Sequence, residues 1–140
     1  NRKKAQRLLI TWLTDEPEIY PKIAKYIRAE DFTVELYRKV ADKLLEGLSK
    51  KDFSPASLIS LFSDEEEQRE VASLFNTKLE ELQTKQEREK ALHDIIYTVK
   101  RNSYEFYSER MGADVEALNQ VIAGKKALEE LSKTHISLDE

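Results

Sequence analysis

Apolar positions along most of this chain recur at steps of three and four, and strand-like β-branched alternation is absent, so the pattern predicts helices. The longest such stretch runs from Thr84 to Arg110 without a Pro or a Gly. Leu92, Ile95, Ile96, Val99, Ser103, Phe106 and Arg110 mark its stripe. Thr84 followed three residues on by Glu87 is a capping-box start, and Gly112 is a natural stop. At 1.5 Å per residue the helix is roughly 40 Å long, more than a compact small domain needs. Its start is therefore expected to pack on what precedes it and its end to carry a projecting helical hairpin. The hairpin's second arm is expected from Val115 to Leu131, capped by Asp114, with Val115, Leu118, Val121, Ile122, Leu128 and Leu131 as its apolar positions. Gly124 interrupts that arm, at a cost of about 1 kcal/mol relative to Ala. The tail from Thr134 to Glu140 is expected to fray.

Shorter helical patterns precede the long one. Leu9, Trp12 and Leu13 share a face of a first helix that ends near Pro17. A second, from Glu18 to Ile27, carries Pro21 in its first turn and turns Ile19, Ile23, Tyr26 and Ile27 inward. Phe32 reads as a plug between helices, with Asp31 or Thr33 capping a third helix that holds Leu36, Tyr37, Val40, Leu44 and Leu45 and stops at Gly47. Ser54-Pro55 opens a short fourth helix, and Ser63 with Glu66 a fifth. Residues 76–82 are expected to continue as a short helix or kinked lead-in. The expected fold is all-α: a compact bundle of short helices over 1–83, followed by the long helix and C-terminal helical hairpin over 84–140.

Composition agrees with this and narrows the function. The chain has 140 residues, 36% of them charged and 40% hydrophobic, enough for a core with a strongly solvated exterior. The net charge is −4, which disfavours a protein whose task is gripping phosphates. There is no Cys, hence no disulfide, thiolate nucleophile or Cys-based zinc site. No apolar run approaches a membrane span. The opening Asn suggests a fragment of a larger protein. The basic start from Arg2 to Arg7 admits two readings, a nucleic-acid handle or a solvated turn, and the second carries more weight.

Candidate chemistry is sparse. His93 and His135 are the only histidines and neither lies in an HExxH arrangement, so His93 reads as a helix-surface residue. Three glycines form no phosphate-cradling loop. The acidic pairs are adjacent rather than three or four apart, and so read as solvated faces. No active site is expected. An interface is: Tyr97, Arg101 and Tyr104 form a second row on the long helix, with Lys100 and Tyr107 beside it, and aromatic residues with Arg are the composition of contact patches.

The order Leu8-Leu9, Leu13, Asp15, Ile23, Ile27, Glu30-Asp31-Phe32, Tyr37-Arg38, Leu44 and Leu58 resembles a helical domain shared by the N-terminal domain of bacterial replicative helicases and the C-terminal helicase-binding domain of bacterial primases. The appended long helix and hairpin resemble the primase domain, so the likeness covers nearly the whole chain. The resemblance implies a non-catalytic, monomeric, cytoplasmic docking module. It would join primase to the collar of the hexameric helicase, without direct nucleic-acid or membrane binding. It implies no cofactor in this fragment, zinc and divalent metal belonging to other domains of the parent. Contact residues follow from the pattern instead: Tyr97, Arg101, Tyr104, Tyr107 and Arg110 on the long helix, and Val121, Ile122, Lys125, Leu128 and Leu131 on the last. Two alternatives stay open, the helicase collar domain itself and a single-stranded nucleic-acid binder using Arg2 to Arg7 and the tyrosine row.

Overall fold

The computed structural model describes residues 2–76 and 84–139. Among them every regular element is helical, as the three-and-four spacing requires. In order these are α1 (Arg2–Asp15), a 3₁₀ turn (Pro17–Ile19), α2 (Tyr20–Ile23), a second 3₁₀ turn (Ala29–Asp31), α3 (Glu35–Ser49), α4 (Pro55–Ile59), α5 (Glu65–Asn76), α6 (Lys85–Ser108) and α7 (Val115–Leu131). The expected lead-in at 76–82 lies almost wholly outside the described residues.

Helix α1 is the central element, packed against α3, α5 and α6. Leu9, Ile10 and Leu13 are fully enclosed, and each such burial contributes about 1.5–3 kcal/mol. Its buried Gln6 and Thr11 side chains are both hydrogen-bonded, whereas the buried Trp12 Nε1 has no acceptor among the described residues. Gln6 donates to Thr33 Oγ1 (2.9 Å) and accepts the Val34 N–H (3.1 Å), while Thr11 Oγ1 donates to the Leu74 carbonyl (2.9 Å). Gln6 thereby occupies the entry to α3, which neither Asp31 nor Thr33 caps. At α5 it is Asp64, not Ser63, that accepts the Glu66 N–H (3.2 Å). The Thr84 and Asp114 caps are present, accepting from Glu87 N (3.0 Å) and Glu116 N (2.9 Å). Helix α3 runs past Gly47 to Ser49 and closes with a left-handed Lys51 (φ 57°), whose N–H donates to Leu48 O while Asp52 N–H donates to Gly47 O.

The hairpin does not project. Helix α7 folds back antiparallel along α6 after a tight turn, and Leu92, Ile96, Val99, Leu131 and Ile136 belong to the same apolar core as the bundle. The proposed division at residue 83 therefore does not separate two cores among the described residues. Beyond Val99 the inward stripe of α6 becomes polar because it meets a buried carboxylate. Lys100 Nζ donates to both oxygens of Asp31 (3.2 and 3.0 Å), and Ser103 Oγ donates to Oδ1 (2.8 Å). The Arg28 amide completes that carboxylate's shell (2.9 Å). One turn further on, the Tyr107 hydroxyl donates to the Glu30 carbonyl (2.6 Å), and burial pushes its phenol pKa up. These bonds hold the far end of α6 against the bundle, and the helix runs unbroken through Asn102 and Ser103.

The tail does not fray either. Ile136 is buried in the core. Glu89 on α6, itself buried, accepts the Leu138 N–H (2.7 Å) and lies 2.8 Å from His135 Nε2. The Leu138 amide, helped by His135 and Lys85, holds the Glu89 carboxyl below the usual carboxylate range. Asp139 pairs with Lys85, which holds its carboxyl low as well. Residues 132–139 thus form a strap across the start of α6.

Candidate docking surface

The face of α7 turned to the rest of the molecule is lined by Ala117, Gln120, Gly124 and Leu131. These are mostly small or polar, and each has a reason to be there. A Cβ on Gly124 would stand 3.4 Å from Tyr104 Cδ1, so the glycine lets the tyrosine ring lie flush on the helix. Gln120 accepts a hydrogen bond from Arg28 Nη2 (3.0 Å), tying α7 to the bundle. At the helix end His93 Nε2 lies 2.7 Å from the Leu131 carbonyl, which also accepts a longer bond from the Thr134 N–H (3.4 Å).

With that register, the large apolar side chains point outward. Val115 is 76% exposed, Leu118 43% and Ile122 61%, and Met111 in the preceding turn is 48% exposed. Spacings of three and four put them on one side of the helix. Apart from Leu61, far away in the chain, they are the large exposed hydrophobics among the described residues. Lys125 continues the row three residues past Ile122 and is also exposed. Glu109, Arg110, Asp114 and Glu116 form a charged margin near its start. An apolar centre with a charged rim is the anatomy of a contact surface.

The residues expected to form one patch divide. Ile122 and Lys125 lie on the outward row, and Val121 and Leu128 are half-buried beside it. Leu131 is completely enclosed and belongs to the core, not to a surface. Tyr107 is buried and committed to Glu30. Tyr104 is covered by Gly124, and Tyr97 is half-buried against the core with its ring stacked near His93 (6.4 Å between centroids). Arg101 is exposed beside Glu105 (3.7 Å), and Arg110 stacks on Phe106 (3.5 Å to the ring centroid). The tyrosine row is therefore internal glue between hairpin and bundle. Met111, Val115 and Leu118 are the surface residues that pattern reading missed. The spacing 115, 118, 122 is visible in the sequence, but of the three only Ile122 stands among the expected contact residues.

The basic start is helical rather than a solvated turn, and much of it is engaged: Arg2 with Glu109, Lys3 with Glu70, Arg7 with Ser73. Among the described residues no three His, Asp or Glu side chains converge in a way that could hold a metal ion, and no helix is long and apolar enough to cross a membrane. Comparisons with protein-family models, curated proteins and solved structures give no match for this chain.

Proposed function

We propose that this chain is the helicase-docking module of a bacterial DNA primase, and that the outward row of α7 is its contact surface. The observation that carries the reading is the exposed series Met111, Val115, Leu118 and Ile122, at the hairpin end of a chain that is otherwise heavily charged. An apolar helix face of this kind fits a groove between helices of a partner, with Leu118 and Ile122 as desolvated anchors. The resemblance of Glu30-Asp31-Phe32 and Tyr37-Arg38 to the helicase-binding domain names the partner: the N-terminal collar of the hexameric replicative helicase in the bacterial cytoplasm. On this reading the chain has no active site of its own. It needs no cofactor, is a monomer alone, and couples primer synthesis elsewhere in its parent to unwinding.

Ile122→Asp and Leu118→Asp are the informative variants, because both side chains already face solvent and the fold is expected to survive the change. Leu128→Asp is less informative, since Leu128 is half-buried. Calorimetric titration into the helicase of the same organism is expected to show saturable binding, weakened about thirtyfold or more by either substitution, the scale of a hot-spot loss. Binding of undiminished strength by both variants would remove α7 from the interface. The same row suits a helicase collar domain that pairs with its own copies, and a sizing column separates the two. Oligomers that Ile122→Asp dissolves would favour the collar reading.

A further inference from the structure

A cleft of about 380 Å³ lies where α7 passes over the segment joining α2 to the second 3₁₀ turn. It exists because α7 presents two alanines there, Ala123 and Ala127, one turn apart. The volume falls within the range of about 300–1,000 Å³ usual for small-molecule sites. Its walls carry four cationic side chains, Lys25, Arg28, Lys100 and Lys126, against one carboxylate, Glu130. Asp31 behind the wall neutralises Lys100 and Glu130 faces Lys25, so Arg28 and Lys126 are the local excess of positive charge in a chain whose net charge is −4.

The four cations are not equally committed. Lys100 is almost fully buried, and its ammonium makes two hydrogen bonds, both to Asp31. An ammonium has three N–H donors, so Asp31 does not use all of them, and Lys100 is one of the residues lining the cleft. Arg28 spends Nη2 on Gln120 and keeps further guanidinium donors. Lys25 faces Glu130 across 3.5 Å, but both are well exposed, and such pairs are easily opened. Lys126 has no hydrogen-bond or ion-pair partner among the described residues.

We propose that this cleft is an anion site for the phosphate or pyrophosphate group of a small free ligand, clamped between Arg28 of the bundle and Lys126 of α7 above the Lys100 ammonium. A dianion there would replace the weak Lys25–Glu130 pair with charge-assisted bonds from three elements at once. It would also tie the hairpin more firmly to the bundle, so that binding raises the unfolding temperature by mass action.

The test is calorimetric titration of the whole chain with inorganic pyrophosphate at low, matched ionic strength, with thermal unfolding in parallel. Saturable one-to-one binding and a dose-dependent rise in Tm are expected. Lys126→Glu, at an exposed position, should weaken binding at least tenfold, and so should Ala127→Leu, which fills the cleft without touching charge. Lys133→Glu, just past the same helix but outside the cleft, changes net charge equally and should weaken it less than threefold. No saturable binding, equal losses in Lys126→Glu and Lys133→Glu, or undiminished binding in Lys126→Glu would each overturn the proposal. Tighter binding of a single-stranded oligonucleotide than of pyrophosphate, abolished by Lys126→Glu, would overturn the small-ligand assignment in favour of a nucleic-acid strand.

Discussion

At the end of α3 the division of labour between two residues is the reverse of what their types suggest. Gly47 looks like a terminator but is helical, and a Cβ there would stand 2.8 Å from the Asp52 carbonyl oxygen. It is small because the returning chain passes over it. The left-handed position that glycine usually fills is held by Lys51, at a strain of about 1 kcal/mol for a side-chain-bearing residue. Lys51→Gly is accordingly expected to stabilise the protein by about 1 kcal/mol, raising Tm by a few degrees. Gly47→Ala is expected to destabilise it, because the clash is with backbone rather than a movable side chain. Thermal unfolding of both variants checks the assignment. A Tm gain from Gly47→Ala would show that the 50–53 turn yields easily. Sequence alone marks the glycine as punctuation; what fills the space above it is set by the turn's path, which periodicity does not encode.

At the scale of elements, periodicity located the helices well and their faces unevenly. On α6 the stripe Leu92, Ile96 and Val99 was legible because apolar side chains announce it. Ser103 keeps that spacing, but the burial of Lys100 beside it was not legible, because the residue that makes a buried lysine tolerable, Asp31, lies 69 positions away. The same polar interruption suggests a hinge near Asn102, whereas the observed contacts anchor that turn. Lys100→Met would leave the Asp31 carboxylate buried without its counter-charge, and removing one partner of such a pair costs about 3–5 kcal/mol. Urea unfolding should show a loss of that order, and amide exchange across Asn102 and Ser103 in the unaltered protein should be as slow as at Val99. Fast exchange confined to those two residues would restore the hinge.

The strap over α6 is a second case in which an element's role rests on one carboxylate. Glu89 is held below its ordinary pKa by the Leu138 N–H, with His135 also favouring the anion. A carboxyl depressed in the folded state binds its proton more tightly when unfolded. Its stabilisation is therefore complete above the unfolded value near 4.5 and is lost as pH falls through the lower folded value. The Tm difference between the unaltered protein and Glu89→Gln should be constant near neutrality and shrink steadily below about pH 4.5. A difference independent of pH down to 3 would mean that the Glu89 carboxylate does not hold the strap, leaving Ile136 and the Lys85–Asp139 pair to do so.

For the whole molecule, the question is whether bundle and hairpin unfold as one body. Sequence reading separates them, because a long helix followed by one more helix looks like an arm. It could not see that Leu131, the last apolar residue of that arm, is completely enclosed in the common core with Ile136 beyond it. Nor could it see that the arm's inner face is built of Ala117, Gln120 and Gly124, leaving the larger side chains outside. One core implies one cooperative transition. The single tryptophan, Trp12, sits in α1 at the centre of the bundle and reports on the bundle from within. Leu131→Ala should then cost about 2–5 kcal/mol, the range for emptying a packed leucine site. It should move the Trp12 fluorescence transition in urea by the same amount as the helical circular-dichroism transition. If Trp12 unfolds at an unchanged urea concentration while part of the helical signal is lost earlier, the hairpin is a separate cooperative unit. A fragment lacking α6 and α7 would then be a fair probe of binding; with one transition it is not, because Leu92, Ile96 and Val99 complete the core that such a fragment would expose.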